Sequence, residues 1–174
     1  MPEIEFSVSL TTRKPRGSEV DGTDYHFVSE AEFIRRRDGA ELAEWAQVFD
    51  ASYGTPKKPL DHAINAGRDI LLDIDIQGGG QIRAAYPHDA VTVFVLPPTF
   101  DDLAQRLRKR GTETEAAIAG RLDRSREEAR AYSEYDYLII NDDVDTSVER
   151  FRSIVNAERS RVARLREGFA PWKS

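Results

Sequence analysis

Two arginines three positions apart, Arg13 and Arg16, are the first residues along the chain whose type and spacing suggest chemistry. They follow a strand-like segment that ends in hydroxyl residues, SVSLTT at positions 7–12. Guanidinium groups donate paired, charge-assisted hydrogen bonds to phosphate oxygens in a geometry that a lysine cannot reproduce. Tyr25 offers a further hydroxyl donor. The pattern is compatible with a phosphate site, although an Arg-x-x-Arg pair on a loop is by itself more typical of a solvated surface.

Carboxylates form a second group of candidates. Asp73 and Asp75 lie two positions apart at the end of an apolar segment, 69–76, which we predict to be a strand. Their side chains therefore point to one face, at the carboxyl edge where open parallel sheets bind ligands. Either acid could face a ligand, orient magnesium-bound water or cap the helix that follows. Glu44, beside Trp45, is by itself typical of a surface carboxylate on a strand.

A third group lies in the second half of the chain. Arg106 and Arg110 are one helical turn apart and therefore share a face of a predicted helix. Arg121 follows on the next predicted helix, and Asn141 ends a predicted strand. Asn141 alone is equally compatible with a turn or cap residue.

The elements that must position these residues alternate between strand and helix patterns, which is an α/β signature. Predicted strands cover residues 3–12, 69–76, 90–96 and 137–141. Helix starts are predicted at Ser29, Thr99, Thr112 and Thr146. The stretch 14–55 interrupts the alternation with short antiparallel strands and one small helix, so we predict an inserted substrate lobe there.

Composition limits the possible functions. With 174 residues, 40% of them hydrophobic, we predict one domain over 1–174. A net charge of −6 argues against general nucleic-acid binding, and the absence of a long apolar run favours a cytoplasmic protein without membrane contact. Zero cysteines exclude disulfides and thiolate zinc sites. The three histidines (His26, His62 and His88) lack ligand spacing, so a metal is expected only together with a ligand.

Six segments resemble guanylate kinases in order and spacing. They are SVSLTTRKPRGSEVDGTDYHFVS, EWAQVF, YGTP, LLDIDIQG, RLRKRGTETEAAIAGRL and INDDVD. The resemblance extends from about residue 5 to residue 160. It implies a parallel sheet flanked by helices, like that of P-loop NTPases, with a GMP-binding lobe at 14–55 and a helical lid at 99–125.

The resemblance also implies roles for particular residues. The GMP phosphate would be surrounded by Ser9, Arg13, Arg16, Tyr25 and Tyr53, and guanine would be recognised by Glu44, Thr55 and Asp75. Lid arginines Arg106, Arg110 and Arg121 would act in catalysis together with Asp75, and Asn141 would contact the adenine of ATP. The implied reaction is ATP + GMP giving ADP + GDP, with Mg²⁺.

One part of the family pattern is missing from the sequence. A loop of the form Gly-x-x-x-x-Gly-Lys-Ser/Thr should follow a first strand, yet the dipeptide Gly-Lys occurs nowhere. We therefore expect GMP binding without the ATP phosphate loop, low stability of the chain alone, and a Met1 that is a truncated or mis-assigned start. Two alternatives stay open: a non-catalytic module that binds GMP or a phosphorylated peptide, and a degenerate gene fragment.

Overall fold

The computed structural model describes residues 4–110 and 114–164. The chain divides into two compact units, Met1–Ala90 and Val91–Ser174. The strands are β1 (Ile4–Phe6), β2 (Leu10–Thr11), β3 (His26–Phe27), β4 (Leu42–Val48), β5 (Ala51–Pro56), β6 (Asp69–Leu71), β7 (Val93–Leu96) and β8 (Tyr137–Ile140). The α-helices are α1 (Glu30–Asp38), α2 (Lys57–Asn65), α3 (Ile76–Ala85), α4 (Phe100–Arg110), α5 (Glu115–Glu128) and α6 (Val144–Arg159).

In the first unit, strands β1 and β6 form a parallel pair, and β3, β2, β5 and β4 form a four-stranded sheet in that order. Strand β5 runs antiparallel to both β2 and β4. This register places Thr55 opposite Glu44, and Tyr53 opposite both Ala46 and Thr11. The antiparallel pair predicted towards the end of the stretch 14–55 is therefore present as β4 and β5, and it brings the hydroxyl of Thr55 beside an acid on the next strand. The prediction is wrong for β3, which lies in the same stretch but pairs parallel with β2.

The single small helix predicted in that stretch is also present. Helix α1 begins after Ser29, whose hydroxyl accepts the backbone N–H of Glu32 at 3.2 Å, and it ends at Gly39. It buries Phe33 almost completely. The hydroxyl of Ser29 satisfies a backbone N–H that has no partner within the helix, which is why this start was predictable.

The second unit contains the other parallel pair, β7 and β8, together with helices α4, α5 and α6. Asp136 fixes the start of the ladder, since its Oδ2 accepts both the backbone N–H and the hydroxyl of Thr92 at 2.8 Å. Buried apolar side chains come from the strands and from α4 and α5: Phe94, Ala104, Leu107, Ile118 and Ile139. Parallel pairs alternating with helices confirm the predicted α/β class. Within the described ranges, no helix combines the length and the apolar character needed to cross a bilayer.

Several predicted boundaries are wrong. The predicted strand 3–12 is two strands, because the backbone between them changes partners: Ser7 donates to Leu71 at 2.9 Å, whereas Ser9 accepts from His26 at 2.9 Å. The predicted strand 69–76 ends at Leu71. Helix α2 at Lys57–Asn65 was not predicted from the sequence.

Two helix starts also differ from prediction. Helix α5 begins after Thr114, whose hydroxyl accepts the N–H of Ala117 at 3.3 Å, while the predicted start at Thr112 lies outside the described residues. Helix α6 begins after Asp143, whose carboxylate accepts the N–H of Thr146 at 2.9 Å. Thr146 is therefore inside the helix, because a carboxylate three residues earlier occupies the capping position.

Candidate active site

Arg13 lies just after β2, and its guanidinium group is held from several sides. Nη1 and Nη2 donate to the two carboxylate oxygens of Glu19 at 2.9 Å each. Nε donates to the hydroxyl of Tyr53 at 3.2 Å, and Nη1 also donates to the carbonyl of Lys14 at 2.8 Å. These four bonds use all but one of the five N–H groups of the guanidinium. The remaining N–H, on Nη2, has no hydrogen-bond partner among residues 4–110 and 114–164.

Aromatic rings further restrict Arg13. Its guanidinium carbon lies 5.3 Å from the ring centre of Tyr25 and 5.8 Å from that of Phe27. Tyr25 in turn meets Tyr53 edge-on, with ring centres 6.0 Å apart. The predicted residues Arg13, Tyr25 and Tyr53 thus come together in one cluster, which we call the anion cluster. Ser9, also predicted, is buried immediately before β2.

Glu19 is the residue of this cluster that the sequence analysis missed. Besides pairing with Arg13, its Oε2 accepts the backbone N–H of Arg16 at 2.7 Å. Hydrogen bonds from the Arg13 side chain and the Arg16 backbone lower the pKa of Glu19 to about 2, and the same pair raises the pKa of Arg13. The only signal for it in the sequence is an acid six residues after Arg13 on the same loop.

Arg16 differs from Arg13 in being exposed. Within the described part of the chain, its guanidinium makes no hydrogen bond or ion pair, while its backbone is fixed by Glu19. Gly17 follows with φ of +54°, a conformation that favours glycine, and this lets the loop turn at that point. Arg13 is consequently a pre-positioned group with little remaining donor capacity, and Arg16 is an available cation next to it.

The hydroxyl groups of the two tyrosines are available as donors. Burial raises the pKa of Tyr25, and the negative charge of Asp73 adds to the effect. Tyr25 therefore keeps its proton at neutral pH. The oxygen of Tyr53 accepts from Arg13, and its hydroxyl proton is donated to no group in the described part of the chain.

A buried acid lies on the neighbouring strand. Glu44 is 4% exposed, and its Oε1 accepts the hydroxyl proton of Thr55 at 2.7 Å. Burial raises the pKa of Glu44, the Thr55 hydrogen bond lowers it, and the charge of Asp75 raises it again. Glu44 on β4 and Thr55 on β5 thus form a buried, hydrogen-bonded pair. Taken by itself, the sequence around Glu44 was typical of a surface carboxylate on a strand.

Asp75 is placed as the N-cap of helix α3. Its Oδ1 accepts the N–H of Gly78 at 2.9 Å, and Oδ2 accepts from the side-chain amide of Gln77 at 3.0 Å. This is the capping alternative that the sequence left open, and a ligand role for Asp75 stays a prediction. Asp73 is exposed, and its charge acts on Tyr25.

In the second unit, Arg106 and Asn141 come together. Nη2 of Arg106 donates to the backbone carbonyl of Asn141 at 2.8 Å, and both line a cavity of about 190 Å³ at the ends of β7 and β8. The Asn141 side chain accepts from Ser147 at 3.3 Å. Arg121 is half-buried on α5, and the side chain of Arg110 lies outside the described residues. The predicted roles of these four residues stay predictions.

A metal site built by the protein would need several acidic or histidine ligands close together. Across residues 4–110 and 114–164 there is no group of three or more such side chains.

Comparison with known proteins identifies the family. The family model for guanylate kinase matches residues 2–158. A guanylate kinase of Maricaulis maris is 48% identical over 171 residues, covering 98% of this chain and 76% of the relative. A guanylate kinase of Desulfitobacterium hafniense is 43% identical, covering 94% and 82%. The crystal structure of guanylate kinase from Anaplasma phagocytophilum superimposes with a TM-score of 0.82 at 34% identity, covering 94% of this chain and 80% of that one.

The fold defines an α/β protein of parallel strand pairs and helices, and the anion cluster brings together cationic and hydroxyl groups whose chemistry suits a small anion. Its particular family follows from the family model and from relatives of which it covers about three quarters or more. The chain belongs to the guanylate kinase family.

Proposed function

We propose that this protein is a guanylate kinase that transfers the γ-phosphoryl group of ATP to GMP, giving ADP and GDP. One observation carries the assignment of GMP to the first unit. Tyr53 of the anion cluster and Thr55 of the buried pair are two residues apart on β5, so their side chains point to one face about 7 Å apart. A phosphate and a purine base joined by a ribose fit two subsites that share a face in this way.

The chemistry of each subsite matches one end of GMP. Arg16, the remaining N–H of Arg13, and the hydroxyls of Tyr25, Tyr53 and Ser9 would bind the phosphate. Guanine presents N–H donors at N1 and at its exocyclic amino group, and adenine does not present them in that arrangement. The second oxygen of Glu44 would accept from that edge, with Thr55 holding the first. A buried carboxylate left unpaired by adenine costs about 1–3 kcal/mol, which favours guanine.

In the transfer step, an oxygen of the GMP phosphate attacks the γ-phosphorus of ATP while the bond to the ADP oxygen breaks, with no covalent enzyme intermediate. Charge then spreads over the oxygens of the migrating group. We propose that the lid region 99–125 supplies Arg106, Arg110 and Arg121 to stabilise that charge, with Asp75 assisting, and that Asn141 contacts adenine. Residues 14–55 would act as the GMP-binding lobe of a single domain in a cytoplasmic enzyme.

ATP and Mg²⁺ complete the proposed reaction. The described residues contain no group of three or more acidic or histidine ligands, so Mg²⁺ would arrive bound to the ATP phosphates. The 174 residues contain no Gly-Lys dipeptide, so no phosphate loop of the family form is among them. We propose that these residues supply the GMP side of the reaction and that transfer requires such a loop. The relatives are named for the enzyme, which supports the kinase over the non-catalytic module.

The proposal is tested by measuring GMP-dependent ADP formation with two polypeptides. One is the 174-residue chain, and the other carries a strand and a Gly-x-x-x-x-Gly-Lys-Ser/Thr loop ahead of it. We expect both to bind GMP and only the second to turn over. Turnover by the 174-residue polypeptide would contradict the role given to the loop. A folded, GMP-binding longer polypeptide without turnover would favour the non-catalytic module.

A further inference from the structure

Helix α3 crosses strand β4 so that Gly78 faces the carboxylate of Glu44. A Cβ atom at Gly78 would lie 3.0 Å from Cδ of Glu44 and closer still to its Oε2. It would also lie 3.3 Å from Cβ of Ile74. The approach to Oε2 is closer than Cβ atoms come to other atoms in proteins, so any residue larger than glycine requires the carboxylate or the helix to move.

The helix is held at this distance by a second contact. Gln81 is one helical turn after Gly78 and therefore on the same face. Its side-chain amide accepts the backbone N–H of Trp45 at 3.1 Å and donates to the Trp45 carbonyl at 2.8 Å. This pair of bonds fastens α3 to β4 at the residue next to Glu44, so the helix cannot move away without breaking both.

The carboxylate of Glu44 is also restricted on its other side. Its Oε1 is bonded to the hydroxyl of Thr55, which is fully buried, and Glu44 itself is 4% exposed. A methyl group at position 78 would therefore displace the carboxylate away from Thr55 or out of its plane.

We propose that Gly78, fixed in place by Gln81, is a positioning residue that sets where the Glu44 carboxylate lies and thereby determines selectivity for the purine base. The inference rests on the proposed role of Glu44 in reading guanine. Glycine is required at this position for space and not for backbone conformation, because its φ angle is not in the left-handed region. Gly78 would act only through Glu44 and would not contact the substrate.

The same helix offers a matched control. A Cβ at Gly80 would meet no atom within 4 Å. Gly78→Ala and Gly80→Ala therefore make the same chemical change in the same helix and gain similarly in helix propensity. They differ in whether the added methyl group meets Glu44.

The test measures affinity for GMP and for inosine 5′-monophosphate, which share phosphate and ribose and differ in the exocyclic amino group. Calorimetry on the 174-residue chain gives the ratio of the two dissociation constants, and thermal unfolding reports the fold. We expect the preference for GMP to fall roughly tenfold in Gly78→Ala and to stay within about twofold in Gly80→Ala. An unchanged preference in a folded Gly78→Ala protein would overturn the inference, as would an equal loss in both variants.

Glu44→Ala separates this inference from the proposed function. If Glu44→Ala keeps the preference for GMP, the base-reading role of Glu44 fails and the inference fails with it. If Glu44→Ala loses the preference while Gly78→Ala keeps it, only the inference about Gly78 fails. Adding Gly78→Ala to Glu44→Ala should change nothing further, because the carboxylate that the methyl group displaces is gone. A further loss in the double variant would mean that Gly78 acts by another route.

Gln81→Ala tests whether the position of helix α3 controls the Glu44 carboxylate, and it adds no atoms. It serves in case Gly78→Ala does not fold. It removes both bonds to Trp45 and lets α3 move relative to β4. We expect the preference for GMP to fall several-fold while the protein remains folded. A folded Gln81→Ala protein with full preference would show that the docking of α3 does not control Glu44.

Discussion

Thr55 donates its hydroxyl proton to Oε1 of Glu44 over 2.7 Å, and both side chains are buried. The bond satisfies one oxygen of a carboxylate that would otherwise be costly to bury. Burial nevertheless raises the pKa of Glu44, so the hydrogen bond does not compensate the desolvation fully. An uncharged side chain at this position would avoid that desolvation cost, and the proposed reading of guanine gives a reason for the charge.

Glu44→Gln should separate stability from binding. Burial raises the pKa of Glu44 in the folded state above its ordinary value of 4.5. Between pH 4.5 and the raised pKa, the folded protein binds more protons than the unfolded chain, so its stability falls as pH rises through that range. Glutamine lacks this dependence and can still accept from Thr55. We expect Glu44→Gln to unfold at a higher temperature at pH 8, by roughly 2–4 °C for each kcal/mol gained, while GMP affinity falls. The gain should disappear at acidic pH, and a lower unfolding temperature at pH 8 would contradict the account.

Arg13→Ala and Arg16→Ala should differ in their effect on stability. Arg16 is exposed, and its side chain has no bond in the described residues, so we expect its removal to weaken GMP binding about 10- to 100-fold and leave unfolding unchanged. Arg13 holds Glu19 and Tyr53, so its removal should weaken binding and also lower the free energy of unfolding by about 1–2 kcal/mol. Lys14→Ala, between them, is the control and should change neither. Unchanged GMP affinity in both arginine variants would remove the phosphate site.

Glu19→Gln should produce a destabilisation that depends on pH. The pKa of Glu19 is lowered to about 2 from 4.5 by the Arg13 and Arg16 bonds, so its contribution to stability is present above pH 4.5 and is lost as pH falls towards 2. The difference in urea midpoint between Glu19→Gln and the unchanged protein should therefore be largest near neutral pH and shrink through that range. A difference that stays constant down to pH 2 would mean that the ion pair is not its source.

Two substitutions at Asp75 should distinguish capping from ligand binding. Asp75→Ala removes the cap of α3 and should cost about 0.5–2 kcal/mol of stability. Asparagine caps helices nearly as well as aspartate, so Asp75→Asn should keep the stability while removing the charge. If GMP affinity falls in Asp75→Asn, Asp75 acts on the ligand as the family resemblance implies. An Asp75→Asn protein with full GMP affinity, and full turnover when the substitution is made in the loop-bearing polypeptide, would assign Asp75 to capping alone.

Local patterns in the sequence predicted the local features of the fold. The cap at Ser29 needs only a hydroxyl three residues before an N–H that lacks a partner, and this is visible in a short segment. The antiparallel strands around Thr55 were also predictable from a short segment, because their strand-like residues and turns are visible locally. The break between β1 and β2 was not, because it depends on which partners, Leu71 or His26, each backbone group finds across the fold.

The site likewise contains residues that could be predicted from the sequence and residues that could not. The family resemblance named Arg13, Tyr25 and Tyr53, and the structure brings them together. The resemblance did not indicate Glu19, because the pairing of Glu19 with Arg13 depends on how the loop turns at Gly17. The approach of Gly78 to Glu44 joins residues far apart in sequence, and no period along the chain encodes a contact of that kind.

The central claim is that one face of the first unit binds a guanine nucleotide through its phosphate and its base edge. Calorimetric titration of the 174-residue polypeptide with GMP and with AMP tests it most directly. We predict that GMP binds roughly 5- to 150-fold more tightly than AMP, because adenine leaves the buried Glu44 carboxylate unpaired at a cost of about 1–3 kcal/mol. AMP binding as tight as GMP, to a polypeptide shown to be folded, would contradict the claim.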